Sequence, residues 1–184
     1  MSITVRKSEP ADRAAILALM QASTGEHLTP EQRAEQGFVQ GVMDEETLTR
    51  FMNGPGVFLA EEDGELAGFA MTAEPSPAAG GPVQGTVDAV TAEVPAGTKF
   101  FLYGPVAVDA RFQGRGVLTK LLTALSRELA GRYALGALFV EESNAKSLAV
   151  HRHYGMTEAA RFAVGERWYV VFTFEPATFA ERTD

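Results

Sequence analysis

The chain of 184 residues contains no cysteine. That absence removes disulfides, thiolate metal sites and a cysteinyl acyl-enzyme together, and a cytoplasmic setting becomes the default expectation. No apolar run approaches the ~18 residues that a membrane-spanning helix needs. Residues 1–7 lack the apolar core of a secretion signal, so no membrane partner is expected. Basic residues are also short: 16 Lys and Arg stand against 24 Asp and Glu, a net charge of −8. Phosphate-binding surfaces need clustered positive charge, so no nucleic-acid partner is expected, and no metal. An acidic surface suits cationic substrates such as amines.

What is present patterns as one domain over residues 1–184. Residues 3–7 alternate as a short strand, and Glu9-Pro10 opens a helix with Ile16, Leu17, Leu19 and Met20 as its buried stripe. Residues 29–52 read as further helix. Thr29 suits its N-cap, Pro30 its first turn and Gln32 the third position of a capping box, and Gly54-Pro55-Gly56 ends it. Residues 57–62 and 65–72 flank Asp63-Gly64, a pair suited to a two-residue hairpin. Residues 74–98, rich in Pro, Gly, Ala and Thr, read as a long loop with at most one short strand, a substrate-side flap.

Residues 100–108 form a nearly continuous apolar strand, the sign of burial on both faces. Pro105 is awkward there, because proline cannot donate to a ladder. Residues 116–130 follow as a helix with Val117, Leu118, Leu121, Leu122, Leu125 and Leu129 on one stripe. A buried strand at 135–142, a helix at 144–154 and strands at 157–162 and 168–174 complete the order. Trp168 and Tyr169 read as core, with lining of an amine pocket as their alternative.

The chemistry concentrates at Arg111-Phe112-Gln113-Gly114-Arg115-Gly116, which follows a buried strand and opens an amphipathic helix. The first turn of a helix leaves amide N–H groups unpaired and carries positive potential. Glycines let a phosphate approach that backbone closely, and Arg111 and Arg115 can add charge. Three anion sites compete for this pattern. A P-loop requires Lys and Ser or Thr after the last glycine, where Val117 and Leu118 stand. A dinucleotide site wants a third small residue, where Thr119 stands, although Glu141 and Glu142 end the next strand at about the ribose-binding distance.

The third resembles the GNAT superfamily of N-acyltransferases. Arg111–Gly116 is similar to its Arg/Gln-x-x-Gly-x-Gly/Ala motif, preceded by the strand Tyr103-Gly104-Pro105-Val106-Ala107-Val108-Asp109. A second block, Asn144-Ala145-Lys146-Ser147-Leu148-Ala149-Val150-His151-Arg152-His153-Tyr154-Gly155-Met156, resembles the family's Asn-x-x-Ala/Ser-x-x-x-Tyr-x-x-x-Gly-Phe helix. The resemblance implies an α/β (α+β) fold: a mixed, mostly antiparallel sheet of six to seven strands, about four flanking helices and splayed central strands. Residues 21–53 and 74–98 are then the variable, substrate-side parts.

It further implies acetyl-CoA as cosubstrate and an unidentified primary amine as acceptor, with a homodimer possible. Val106, Ala107 and Val108 are expected to pair with the pantetheine arm. Gln113, Gly114, Arg115, Gly116, Val117, Leu118 and Thr119, with Arg111, are expected at the pyrophosphate. Asn144 is expected to bond the pantetheine, beside Ser147 and His151 within about 60° on one helical face. Two departures bear on catalysis. His151 occupies the place of the family's tyrosine, and Phe139 that of a glutamate base. His151, Tyr103 and Glu141 are therefore the catalytic candidates, with Glu61, Glu62 and Glu142 as other carboxylates. A histidine titrates near neutrality and can relay a proton. A non-catalytic acyl-CoA-binding module and a nucleotide-dependent oxidoreductase stand as alternatives.

Overall fold

The computed structural model describes residues 2–39, 41–76 and 79–182. Seven strands form one sheet in the order β1-β2-β3-β4-β5-β7-β6. They are β1 (Thr4–Lys7), β2 (Gly56–Glu62), β3 (Glu65–Ala73), β4 (Phe100–Val108), β5 (Leu135–Glu141), β6 (Thr157–Val164) and β7 (Arg167–Phe174). Only β4 and β5 run parallel; every other neighbouring pair is antiparallel. The β2–β3 turn is the expected one, with Asp63 at φ 52° and Gly64 at φ 81°, the left-handed pair that a tight hairpin requires.

The described helices are α1 (Arg13–Ala22), α2 (Pro30–Gln36), α3 (Glu45–Asn53), α4 (Gly81–Glu93), α5 (Val117–Leu129), α6 (Ala145–His153) and α7 (Pro176–Ala180). Three of these correct the sequence reading, which expected about four. Residues 29–52 are two helices, not one. Thr29 and Gln32 do exchange both capping-box bonds at 3.2 and 2.9 Å. Gly37 then ends α2 at φ 72°, and the Asp44 side chain starts α3 by accepting from the Thr47 N–H at 2.8 Å. The loop expected over 74–98 contains α4. Its propensity is poor, but Val87, Val90 and Val94 pack on the sheet. Gly85 admits the Phe162 ring so closely that a Cβ there would lie 2.4 Å from it. Packing overrides propensity here. Helix α7 had no signal beyond Pro176.

Two faces cover the sheet. On one, α5 buries Val117, Leu121, Leu122, Leu125 and Leu129 against Phe58, Phe101, Leu138 and Phe172. Each such side chain contributes about 1.5–3 kcal/mol, so α5 is firmly fixed relative to β4. The other face is divided: Ile16, Met20 and Leu48 cover β2 and β3, while α4 covers β5, β7 and β6. Trp168, read as core, is instead 44% exposed; Tyr169 is buried. Among the described residues, no helix is long and apolar enough to cross a membrane.

Gly68 on β3 sets how closely α5 approaches. A Cβ there would lie 2.8 Å from the Ala107 carbonyl oxygen and 2.9 Å from Val117 Cγ1. The carbonyl belongs to the neighbouring strand and cannot rotate away. Gly68→Ala is expected to destabilise the protein by about 1–3 kcal/mol, measured as a lowered urea midpoint at unchanged slope.

Candidate active site

Strands β4 and β5 pair only at Phe100–Leu135, Phe101–Gly136 and Leu102–Ala137. Beyond Leu102 they part, although β4 continues to Val108 and β5 to Glu141. The cause lies in β4. Between the pairs Thr72–Tyr103 and Ala70–Val106, β3 spends one residue and β4 two, Gly104 and Pro105. This is a bulge, a place where a strand tolerates proline. It also shifts the alternation of side chains. Phe101 and Tyr103 share a face with Val106 and Val108, while Ala107 turns to the opposite cluster.

The peptide groups of β4 follow from one bond. Asp109 N–H donates to the Ala67 carbonyl on β3 at 2.9 Å. Peptide groups alternate sides along a strand, so those of Val106 and Val108 face the gap beside β5. A parallel strand edge is thus open inside the sheet, and it ends at the 113–116 turn.

At that turn Gly114 and Gly116 adopt φ 73° and 75°, a conformation that glycine enters without penalty. Among the described residues, no atom beyond their immediate chain neighbours lies within 4 Å of where their Cβ atoms would be. The first bond of α5 runs from Lys120 N–H to the Gly116 carbonyl, so the amides of Val117, Leu118 and Thr119 have no partner within the helix. The arginines are held elsewhere. Arg111 bonds Asp109 at 2.9 Å and Glu65 at 2.8 Å, and this guanidinium holds Asp109 below the usual carboxylate range. Arg115 pairs with the buried Glu62 at 2.6 Å. Neither lines the cavity, so the turn presents backbone donors rather than free guanidiniums.

A cavity of about 550 Å³ runs along this edge. Tyr103, Val106, Ala107 and Val108 line it from β4; Gln113, Gly114, Gly116, Val117 and Leu118 from the turn and α5; Asn144, Ser147 and His151 from α6. Thr119 lies behind, its hydroxyl 2.8 Å from the Tyr154 hydroxyl. Tyr154 also lines the cavity and carried no signal of its own, because the family pattern directs attention one turn earlier, to His151.

Three polar groups in the wall have defined states. Tyr103 is 5% exposed. Its hydroxyl is one of four buried side-chain polar atoms without a partner among the described residues, and only it belongs to a cavity-lining residue. Burial, then the neighbouring Tyr154, pushes its pKa up, so it stays a neutral hydroxyl. His151 is also buried, and burial lowers its pKa below the ordinary 6.5. Its Nδ1 lies 2.7 Å from the Ser147 carbonyl. A carbonyl only accepts, so Nδ1 carries the proton and Nε2 keeps its lone pair. Asn144 caps α6, its Oδ1 accepting from Ser147 N–H at 3.3 Å, and Nδ2 donates to the Phe38 carbonyl at 2.9 Å.

The carboxylates separate by surroundings. Glu61 is bound to Arg6, Glu62 to Arg115 and Glu142 to Arg161. Glu141 is different. Continuing the β4–β5 register places it across the gap from Val106 and Ala107. It accepts from the Ser143 hydroxyl at 2.7 Å, with Arg167 3.7 Å away. By alternation from Ala137 it shares a face with Phe139, the face opposite α5 and α6. Glu141 and Phe139 are outside the cavity lining, on the other side of the opening. No group of three His, Cys, Asp or Glu able to hold a metal occurs among the described residues.

Comparison with known proteins identifies the family and the fold. A family model described as "Acetyltransferase (GNAT) family" matches residues 18–156. No curated protein sequence matches significantly. Among solved structures, a Streptococcus mutans protein superposes with a TM-score of 0.68 at 15% identity, covering 94% of this chain and 99% of that one. The yncA protein of Salmonella typhimurium, solved with its cofactor acetyl-CoA, gives 0.63 at 19% identity over 100% and 98%. The ribosomal-protein-S18-alanine N-acetyltransferase of Escherichia coli gives 0.58 at 20% over 95% and 94%.

The state of His151 has a consequence for stability. Its folded pKa lies below its unfolded one, so its contribution is full above about pH 6.5 and is lost as pH falls through the folded value. The melting temperature of the wild type is expected to fall more steeply below pH 6.5 than that of His151→Gln, measured by scanning calorimetry across pH 5–8. Parallel slopes would contradict a neutral, buried imidazole.

Proposed function

The chain belongs to the GNAT family of acetyltransferases, and on that basis we propose that it transfers an acetyl group from acetyl-CoA to the nitrogen of a primary amine in one step. The observation that carries this is the open edge of β4, backed by the uncapped start of α5. The pantetheine arm of acetyl-CoA is an amide chain, and Val106 and Val108 offer it donors and acceptors as an added strand would. The pyrophosphate suits the amides of Val117, Leu118 and Thr119 above two glycines whose Cβ space is free. Asn144, Ser147 and His151 line the opposite wall, and the orphaned Tyr103 hydroxyl is a polar group in want of a partner.

Bound acetyl-CoA supplies an activated acyl thioester; the protein's residues do the rest. The amine approaches from the face of Phe139 and Glu141. Glu141 takes the proton of the ammonium, directly or through a water molecule, and frees the lone pair. A new C–N bond forms as the C–S bond breaks. A backbone N–H at Val106 or Val108 holds the developing oxyanion, an effect worth about 3–4 kcal/mol for one well-placed donor. Tyr103 keeps its proton and steadies the departing sulfur by a hydrogen bond. A thiol pKa of about 8.5 lets the sulfur leave as a thiolate, which then takes up the second proton of the nitrogen. His151, neutral and anchored through Nδ1, offers an acceptor at Nε2 and orients a cofactor N–H rather than delivering a proton.

Thiol release from acetyl-CoA in the presence of an amine panel tests this. Glu141→Gln is expected to lower kcat by ~10²–10⁴ with CoA binding retained, and Tyr103→Phe to lower kcat by ~10-fold. Stabilisation by CoA without turnover of any amine would favour a binding module instead. Recovery of acetylated protein as a competent intermediate would exclude the one-step route.

A further inference from the structure

The acceptor face of the opening carries its own pattern, independent of the cofactor motifs. Phe162 on β6 pairs with Tyr169 on β7, and Tyr169 pairs with Glu141 on β5. These three form one cross-strand row that ends at the gap. Phe162 and Tyr169 stack with ring centroids 5.5 Å apart, and Phe139 meets Tyr169 edge-on at 5.7 Å. The α4 cluster includes Phe162 but neither Phe139 nor the buried Tyr169. Phe139 is half-buried, beside a carboxylate two residues along the same strand.

We infer that this row is the acceptor subsite and that the acceptor is a small arylalkylamine, its ammonium at Glu141 and its ring against Phe139, which the buried Tyr169 backs. The proposal rests on the transferase reading above. Charge complementarity argues for a single cation. Glu141 is the one carboxylate of the row, Arg167 stands 3.7 Å from it, and Arg161 occupies Glu142 nearby. A polyamine would bring its second charge against guanidiniums. An extended peptide has no continuing track, because α4 closes the row at Phe162, tight against Gly85. Aromatic surfaces beside the carboxylate favour a flat apolar group, with edge and face contacts worth more than area alone.

The experiment is steady-state thiol release by the full chain with acetyl-CoA and 2-phenylethylamine, n-hexylamine, spermidine or an alanine-initiated hexapeptide. The expected order places 2-phenylethylamine first, with kcat/KM at least ~10-fold above n-hexylamine. Phe139→Ala is expected to raise KM for 2-phenylethylamine by ~10-fold or more with a smaller change in kcat. Phe139→Leu, which keeps a sizeable apolar side chain but removes the ring, is expected to shrink the preference over n-hexylamine, so the result does not depend on the alanine variant folding. Spermidine or the peptide ranking first, or an unchanged preference in Phe139→Leu, would overturn this inference while leaving the transferase standing. No turnover of any amine, with CoA still raising Tm, would overturn both.

Discussion

The separation of β4 from β5 after Leu102 and Ala137 governs the arrangement of everything else in the site. A sheet normally satisfies every interior peptide group, and an open edge within it is costly unless something pairs with it. Here the opening is stabilised from both ends. Below it, Phe101, Phe174 and Tyr133 make edge-to-face contacts around Gly136 that hold the strands together where they do pair. Above it, the Gly104-Pro105 bulge turns β4 so that Val106 and Val108 present their backbone sideways while their side chains stay against α5. The result is a rigid slot with hydrogen-bonding walls, suited to an extended amide chain.

The helix start and the slot form one unit because α5 is buried so deeply. Its stripe of apolar residues leaves no freedom to slide, and Gly68 lets Val117 sit almost on the backbone of β3, beside β4. The positive end of α5 is therefore fixed where the open edge terminates. Charge plays a smaller part than the sequence pattern invites. Arg111 and Arg115 are consumed by neighbouring carboxylates, so an anion at the turn meets amide dipoles first. Those dipoles are already oriented, and binding need not immobilise long side chains.

Much of this was legible in the sequence. The hairpin at Asp63-Gly64, the capping box at Thr29, the stripe of α5 and the strand–turn–helix unit all depend on contacts within a few residues, and local patterns report local contacts. Helix α4 was not legible, because its glycine reads as a breaker until the Phe162 ring is known to need the space. Nor was the break after α2, which turns on Gly37 and on Asp44 as a cap. Trp168 read as core from its chemistry, yet it lies outside the body with Arg161 4.0 Å above its ring.

The sequence by itself determined the family pattern, the order of strands and helices around the turn, and a backbone able to hold an anion. Each is encoded by residues adjacent along the chain. Only the tertiary structure decided which ionisable groups are available and in what state. It buried His151 as a neutral acceptor, left the Tyr103 hydroxyl without a partner among the described residues, hydrogen-bonded Glu61, Glu62 and Glu142 to arginines and left Glu141 with its nearest guanidinium, Arg167, at 3.7 Å. Those outcomes depend on desolvation and on pairings between distant strands, which no local spacing records.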